Sequence, residues 1–282
     1  MGRVAVVTDS ASDLSLGRAA SAGITIVPLL VRFGDREYRC GPDMTPDAFW
    51  DAMLAPGAPL PTTAAASAGD FKVAYEGVFA GGADAIVCVT VGGKLSATLK
   101  SARIARDMLP DREIHVVDSN TASLGIGLLA LLGAEMATTG VDAAAIAAEL
   151  ERRVPHIELY VALDTLDYLR RGGRISGARA TMGTLLSVKP IITVRDGEAM
   201  QAERVRTRTK ARERVADLLT EGPVDRVGLL DGPGADVGGL RADVLSRLPE
   251  LDPDRVVVET MGPSIGPHVG PGFGGGVVLR AG

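Results

Sequence analysis

Alternation is the strongest constraint on this chain. Short β-branched runs, "VAVVT" (4–8), "AIVCVTV" (85–91) and "IHVVDS" (114–119), are each followed by a stretch with helical patterning. Uniformly apolar runs of this length are strands buried on both faces, and strands joined through helices lie parallel. The first half is therefore expected to be a three-layer α/β/α unit with a parallel sheet in its middle. "ITIVPLLVRF" (24–33) reads as one further strand, with Pro28 marking it as an edge or bulged one. "FGDREY" has the sequence of a turn and opens a small hairpin. Thr45 and Pro46 begin a helix over 45–54, as N-cap and first helical residue. A loop, "PGAPLPTTAAAS", follows, then helices over about 68–79 and 95–109 and two more within 121–153.

After Pro155 the pattern changes. "IELYVAL" (157–163) is a strand, and the basic segment "YLRRGGRISGAR" leads into a helix. "PIITVRDGEAMQAERV" is a hairpin turning at Asp196-Gly197. A helix over about 208–219, the strand "DRVGLLD", a helix over 236–247 and the strands "DRVVVE" and "GGVVLR" complete the chain. A hairpin within an α/β series implies a mixed sheet. Two domains are expected, residues 1–154 with the parallel sheet and residues 155–282 with the mixed one. The segment "GPSIGPHVGPGFGGGVV" (262–278) is expected to be neither helix nor ordinary strand, because Pro and Gly crowd it. It carries His268.

Composition removes several function classes. A net charge of -5 argues against nucleic acid, which requires clustered positive charge. Cys40 and Cys88 are too far apart for a metal motif, and His115, His156 and His268 are scattered, so no zinc site is visible. Cys88, inside "AIVCVTV", reads as a small buried hydrophobe. The longest uncharged apolar run, "ASLGIGLLALLGA" (122–134), is too short to span a membrane, and no signal peptide is visible at the N-terminus. A cytoplasmic protein with reduced thiols is expected. Aromatic residues are only 4%, so Ala, Val, Leu and Ile must build the core.

In open parallel sheets, ligands bind beyond the carboxyl ends of the strands. After the first strand comes "TDSASDL", in which Asp9 and Ser10 either belong to a helix-capping arrangement or line a site. After "AIVCVTV", Gly92 and Gly93 allow unusual backbone angles, and Ser96 falls near a helix start. Free N–H groups and the helix dipole favour an anion there, and the Ser96 hydroxyl either caps the helix or meets a ligand. The loop "PTTAAAS" offers Thr62, Thr63 and Ser67, with Ser67 also placed to cap the next helix. "GIGLLA" (125–130) matches a dinucleotide fingerprint only in letters. It lies inside an apolar helix, where its glycines permit close packing. Arg170, Arg171 and Arg174 surround a Gly pair in "LRRGGRIS" (169–176), as a solvated face or a docking surface for an acidic partner or a phosphate. There is no phosphate loop, no GxSxG and no paired-carboxylate motif. Hydroxyls and one His without a catalytic engine point to binding more than to hydrolysis.

These segments together resemble the DegV family of bacterial fatty-acid-binding proteins. The resemblance rests on "VTDSASDL" (7–14), "TAAASAGDF" (63–71), "KLSATLKSA" (94–102), "VVDSNTASLGIG" (116–127), "LRRGGRIS" (169–176), "SVKPIITVRDGE" (187–198) and "IGPHVGPG" (265–272). Where the family usually reads T-S-Q-P-S, this chain has Thr63-Ala64-Ala65-Ala66-Ser67, and Ala97 replaces the Gly usual after the helix-start serine. The resemblance implies two α/β domains holding a long-chain fatty acid such as palmitate or oleate in a buried apolar tunnel. Its carboxylate would be held by Thr63 and Ser96, with His268 contacting it or orienting Thr63. Asp9, Ser10, Thr62, Gly92, Gly93, Asp118 and Ser119 would support the site, and Arg170, Arg171 and Arg174 would dock a partner. That partner is a separate ATP-dependent fatty acid kinase, which makes the acyl-phosphate for phospholipid synthesis. This subunit would need no cofactor or metal and would perform no catalysis itself. Apart from the resemblance, a monomer is expected. The physics agrees: a 16-carbon tail buries about 14 methylenes at roughly 0.8 kcal/mol each, on the order of 11 kcal/mol gross. Ordering costs remove much of that, so the tail supplies affinity and the head group needs only orientation. The competing readings are a self-sufficient small-molecule kinase and a non-catalytic regulatory module.

Overall fold

The structure, a computed structural model, describes residues 2–175 and 188–282. The first half runs β1 (Val4–Asp9), α1 (Leu16–Ser21), β2 (Ile24–Val27), β3 (Leu30–Phe33), β4 (Arg36–Arg39) and α2 (Pro46–Leu54). It continues through β5 (Thr62–Ala64), α3 (Ala68–Ala80), β6 (Ala85–Thr90), α4 (Thr98–Asp107), β7 (Glu113–Asp118), α5 (Leu124–Thr138) and α6 (Ala143–Arg153). Strands β2, β1, β6 and β7 pair in that order, all parallel. β6 is buried at every position, as its unbroken apolar run requires. α3 and α4 pack on each other and on this sheet, and α5 and α6 do so as a second pair, giving the expected layers.

Residues 24–33 do not form one strand. Pro28 has no N–H to donate to a ladder, and the chain breaks there. β2 stays in the parallel sheet, whereas β3 joins an antiparallel sheet of order β4-β3-β5. The stretch expected to be plain loop before Ser67 thus supplies β5, with Thr63 opposite Val31.

The second half runs β8 (Ile157–Ala162), α7 (Asp167–Arg171), β9 (Lys189–Arg195), β10 (Glu198–Val205), α8 (Arg208–Thr220) and β11 (Val224–Asp231). α9 (Val237–Arg247), β12 (Val256–Thr260), α10 (Gly266–Val269) and β13 (Gly274–Arg280) follow. Among the described residues these strands form a mixed sheet of order β10-β9-β8-β13-β11-β12, in which β11 and β12 are parallel. Asp196 and Gly197 both adopt left-handed φ, 51° and 74°, which the tight β9–β10 hairpin needs. The helix expected after the basic segment falls on residues 176–187, outside the described residues.

The segment 262–278 corrects the sequence reading. Residues Gly266–Val269 make one helical turn, α10, with Pro267 in its first turn, where the missing N–H costs nothing. His268 rides on this turn, and Gly270 and Gly272, at φ 71° and 76°, then redirect the chain into β13.

α5 lies between the two large sheets, touching β1 and β6 on one side and β8, β11 and β13 on the other. A helix apolar on all sides has this place in a fold. A Cβ on Gly125 would come within 2.6 Å of Thr121 Cγ2, and one on Gly127 within 2.9 Å of the Ser12 carbonyl. Both glycines therefore serve close packing. At the other end of α5, Arg226 of β11 donates two hydrogen bonds of 2.7 Å to Glu135. Among the described residues, no helix is long and apolar enough to cross a membrane.

Candidate functional site

A cavity of about 110 Å³ lies between the carboxyl ends of the parallel strands and the facing side of the mixed sheet. The latter gives it an apolar wall, Leu159, Val161 and Leu163 from β8 and its end and Ile192 and Val194 from β9. Alternation along a strand puts such residues on one face. Its polar groups gather elsewhere: Thr63, Ser96 and His268 all line it.

His268 Nε2 lies 2.9 Å from Thr63 Oγ1, although 205 residues separate the two. The other ring nitrogen, Nδ1, is buried without a partner among the described residues. Burial, and then the positive charge of Arg174, push the imidazole pKa down to about 4, so the ring is neutral at pH 7. A neutral ring carries one N–H, and leaving a buried donor unpaired is costly. The proton therefore belongs on Nε2, which donates to Thr63 Oγ1. The Thr63 hydroxyl hydrogen is then free to point into the cavity.

The loop bearing His268 is pinned from the first half of the chain. Trp50 Nε1 donates to the Met261 carbonyl at 2.9 Å, Asp13 accepts the Gly262 N–H at 2.8 Å, and the Ser10 and Ser264 hydroxyls lie 2.8 Å apart. Gly266 sits so close to Phe49 that a Cβ would come within 2.3 Å of its ring. The Gly266 contact explains why glycine is needed there: the backbone approaches the Phe49 ring without a side chain of its own.

Ser96 precedes α4. Its Oγ accepts the Thr98 N–H at 3.3 Å and lies 2.8 Å from the Thr98 hydroxyl, while the N-cap position itself is Ala97, which has no capping group. Ser96 thus does the capping and also lines the cavity. Capping therefore does not take Ser96 away from the cavity.

The other residues singled out in the sequence sit behind the cavity or away from it. Asp9 is wholly buried and accepts the N–H groups of Ala11 and Val91, both at 2.8 Å. Burial raises its pKa to about 6. Ser10 accepts the Leu29 N–H at 2.8 Å. Thr62 is exposed, since the strand alternation that aims Thr63 inward aims its neighbour outward. Asp118 accepts the N–H groups of Gly93 and Asn120, and Ser119 accepts that of Thr121. Gly92 and Gly93 do not use the left-handed angles expected of them. Their need for glycine is steric: a Cβ would meet the Asn120–Thr121 backbone at 3.1 Å and Leu99 Cδ2 at 2.7 Å respectively.

Arg170 and Arg171 lie on α7, exposed, with Arg170 3.7 Å from Asp167. Arg174 behaves differently. It donates to the Leu95 carbonyl at 3.3 Å and to the Gly172 carbonyl, and it lines the cavity. Sequence reasoning grouped it with the surface cations and missed this. Ser123 and Ser264 also line the cavity and were missed. Ser123 sits inside a recognised segment and Ser264 borders one, but nothing in their spacing separates them from neighbouring serines. Ser123 holds a φ of 57°, unusual for a residue with a side chain, while its hydroxyl donates to Asp13.

A larger cavity of about 230 Å³ lies beside Asp164, Lys189, Arg208 and Arg212. Its charges already satisfy one another: Lys189 and Arg208 pair with Asp164, and Arg212 with Asp236 and Asp243. Size alone does not make it the site. The smaller cavity joins an apolar wall to a few convergent polar groups, among them the Thr63 hydroxyl with its hydrogen free, and that combination is the usual form of a ligand site. Among the described residues no group of three or more His, Cys, Asp or Glu is placed to hold a metal ion.

Over residues 3–280 the chain matches the family described as "Uncharacterised protein, DegV family". It is 37% identical over 254 residues to a DegV domain-containing protein of Deinococcus radiodurans, with 88% of each chain covered. It is similar to a solved structure described as fatty acid binding of a DegV family protein from Thermus thermophilus, at 35% identity and a TM-score of 0.88 over 99% of this chain and 100% of that one. It is also similar to a stearic acid-binding protein from Eubacterium ventriosum, at 28% identity and a TM-score of 0.84 over 99% and 98%.

Proposed function

The chain belongs to the DegV family, and on that premise we propose that it binds a long-chain fatty acid in the cavity beside Thr63, Ser96 and His268. It presents the carboxylate to a separate ATP-dependent kinase. The observation that carries this reading is the Thr63–His268 hydrogen bond within a cavity that also holds Ser96 and one apolar wall. The fatty-acid-binding relatives from Thermus thermophilus and Eubacterium ventriosum support it.

In this reading His268 donates from Nε2 to Thr63, and Thr63 donates to one carboxylate oxygen. Ser96 donates to the head group from the start of α4. Hydroxyl donors and a neutral imidazole orient a carboxylate without enclosing it in a bidentate ion pair. One oxygen stays able to attack the γ-phosphorus of ATP held by the kinase, giving acyl-phosphate and ADP. The acyl tail lies along the β8–β9 wall. A cavity of about 150 Å³ suffices for benzene, so a long tail enters the 110 Å³ space only as its apolar walls move outward. The same reading includes two domains divided at 154/155, a cytoplasmic monomer, and Arg170 and Arg171 on the kinase-facing surface.

Organic extraction and mass spectrometry of the purified protein test the proposal. A long-chain fatty acid is expected near one per chain. If none co-purifies and none binds on addition, the reading is wrong.

A further inference from the structure

The two glycines of "LRRGGRIS" serve different ends. Gly173 has a φ of 66°, and a Cβ there would meet nothing within 4 Å among the described residues. It is glycine because the backbone must turn left-handed. Gly172 has φ -70° and ψ -13°, ordinary helical angles open to any residue. A Cβ on it would fall 2.3 Å from His268 Nδ1 and 3.1 Å from Cε1. Real Cβ contacts are not that short, so the imidazole occupies the place where a side chain at 172 would be.

We propose that Gly172 is a positioning residue for the head-group site: its missing side chain is the seat that holds the His268 ring with Nε2 on Thr63. Three further observations agree. Nδ1, the atom against Gly172, is buried with no hydrogen-bond partner among the described residues, so shape fixes that edge of the ring. α7 and α10 interlock at a second point, because a Cβ on Gly270 would lie 2.1 Å from the Tyr168 ring. Arg174 closes the same turn by donating to the Gly172 carbonyl and to the carbonyl of Leu95, next to Ser96. The basic turn and the head-group residues therefore form one packed unit.

The role of this seat in ligand binding rests on the function proposed above; the seat itself does not. Gly172→Ala is predicted to push the ring off Thr63 and weaken binding of a fluorescent long-chain fatty acid about 10-fold, the equivalent of one lost hydrogen bond. Gly173→Ala is predicted to lower the melting temperature and leave that affinity within about twofold, since its effect is backbone strain alone. In a His268→Ala background, Gly172→Ala should add no further loss, because it acts only through the ring. NMR titration of His268 in ligand-free protein gives an independent readout: its pKa should rise in Gly172→Ala as the ring leaves its buried seat. An unchanged His268 titration in a folded Gly172→Ala overturns the proposal, as does an equal affinity loss with and without His268. Wild type that binds no fatty acid, with His268 still shifted by Gly172→Ala, sinks the function and leaves the seat standing.

Discussion

Asp13 accepts the backbone N–H of Gly262 at 2.8 Å across 249 positions of sequence. The same carboxyl accepts the hydroxyl of Ser123 at the start of α5. One buried side chain thus joins the turn after β1, the helix between the sheets and the loop that carries His268. Removing it should loosen all three. Asp13→Ala leaves two buried donors without an acceptor and is expected to cost about 2–5 kcal/mol, read from urea unfolding. A loss within experimental error would show that the three segments hold together without it.

Burial raises the Asp13 pKa to about 7, with smaller increases from Glu259 and Asp9. A carboxyl whose folded pKa lies above its ordinary 3.8 favours the fold most when protonated. Its contribution is full below pH 3.8 and is lost as pH rises through about 7. Unfolding free energy should therefore fall between pH 5 and pH 8, by on the order of 2 kcal/mol. Asp13→Asn keeps an acceptor for Gly262 but cannot ionise, so most of this fall should vanish in it. The same pH slope in variant and parent would assign the effect to other groups.

Thr63→Val keeps the shape of β5 and removes one hydroxyl. It should reduce fatty-acid affinity about 10-fold or more, since a carboxylate contact and the acceptor for His268 disappear together. Ser96→Ala should weaken head-group binding similarly and also lower stability by about 1 kcal/mol, because Ser96 caps α4. Calorimetric binding with paired melting curves separates the two. A Thr63→Val protein that binds like wild type would remove Thr63 from the site.

Much of the architecture was legible because it follows from period and punctuation. The β6 run could only be a buried strand, and Asp196-Gly197 could only be a hairpin turn. What failed depended on contacts distant in sequence. Pro28 was visible as a disturbance, but only the partners of β3 decide that the chain leaves for another sheet there. Gly92, Gly93 and Gly172 are glycines because of Asn120, Leu99 and His268 respectively, and no local pattern tells a steric glycine from a conformational one. Thr63, Ser96 and His268 were singled out through a family resemblance, and the fold brings all three to one cavity. Ser123, Ser264 and Arg174 were not placed at the cavity, because serines and arginines acquire such roles only once the chain is folded.

Arg171 and Arg174 should separate under charge reversal. Both are exposed, but Arg174 also lines the cavity and bridges to Leu95. Arg171→Glu should leave the bound fatty acid unchanged and cut kinase-dependent acyl-phosphate formation at least several-fold, because rim charges govern encounter. Arg174→Glu should reduce both, since it sets a carboxylate beside the ligand's own. Full kinase-dependent turnover with Arg171→Glu would reduce this face of α7 to a solvated one.

Leu124 and Gly228 test how closely α5 must sit on the mixed sheet. Leu124 is fully buried at the first turn of the helix, and a Cβ on Gly228 would approach its Cβ to 2.9 Å and its Cδ1 to 3.0 Å. Leu124→Ala opens a void and should cost about 2–5 kcal/mol. Gly228→Ala overpacks the same contact and should cost about 1–3 kcal/mol. In the double variant the added methyl enters part of the space left by the leucine branch, while the remaining Cβ–Cβ contact still asks for a small shift. The double variant should therefore be more stable than the sum of the single losses by about 1 kcal/mol. Strict additivity in chemical denaturation would mean that the helix moves independently of β11. The opposing sheets would then not be locked through α5, although Ser123 at its start lines the cavity.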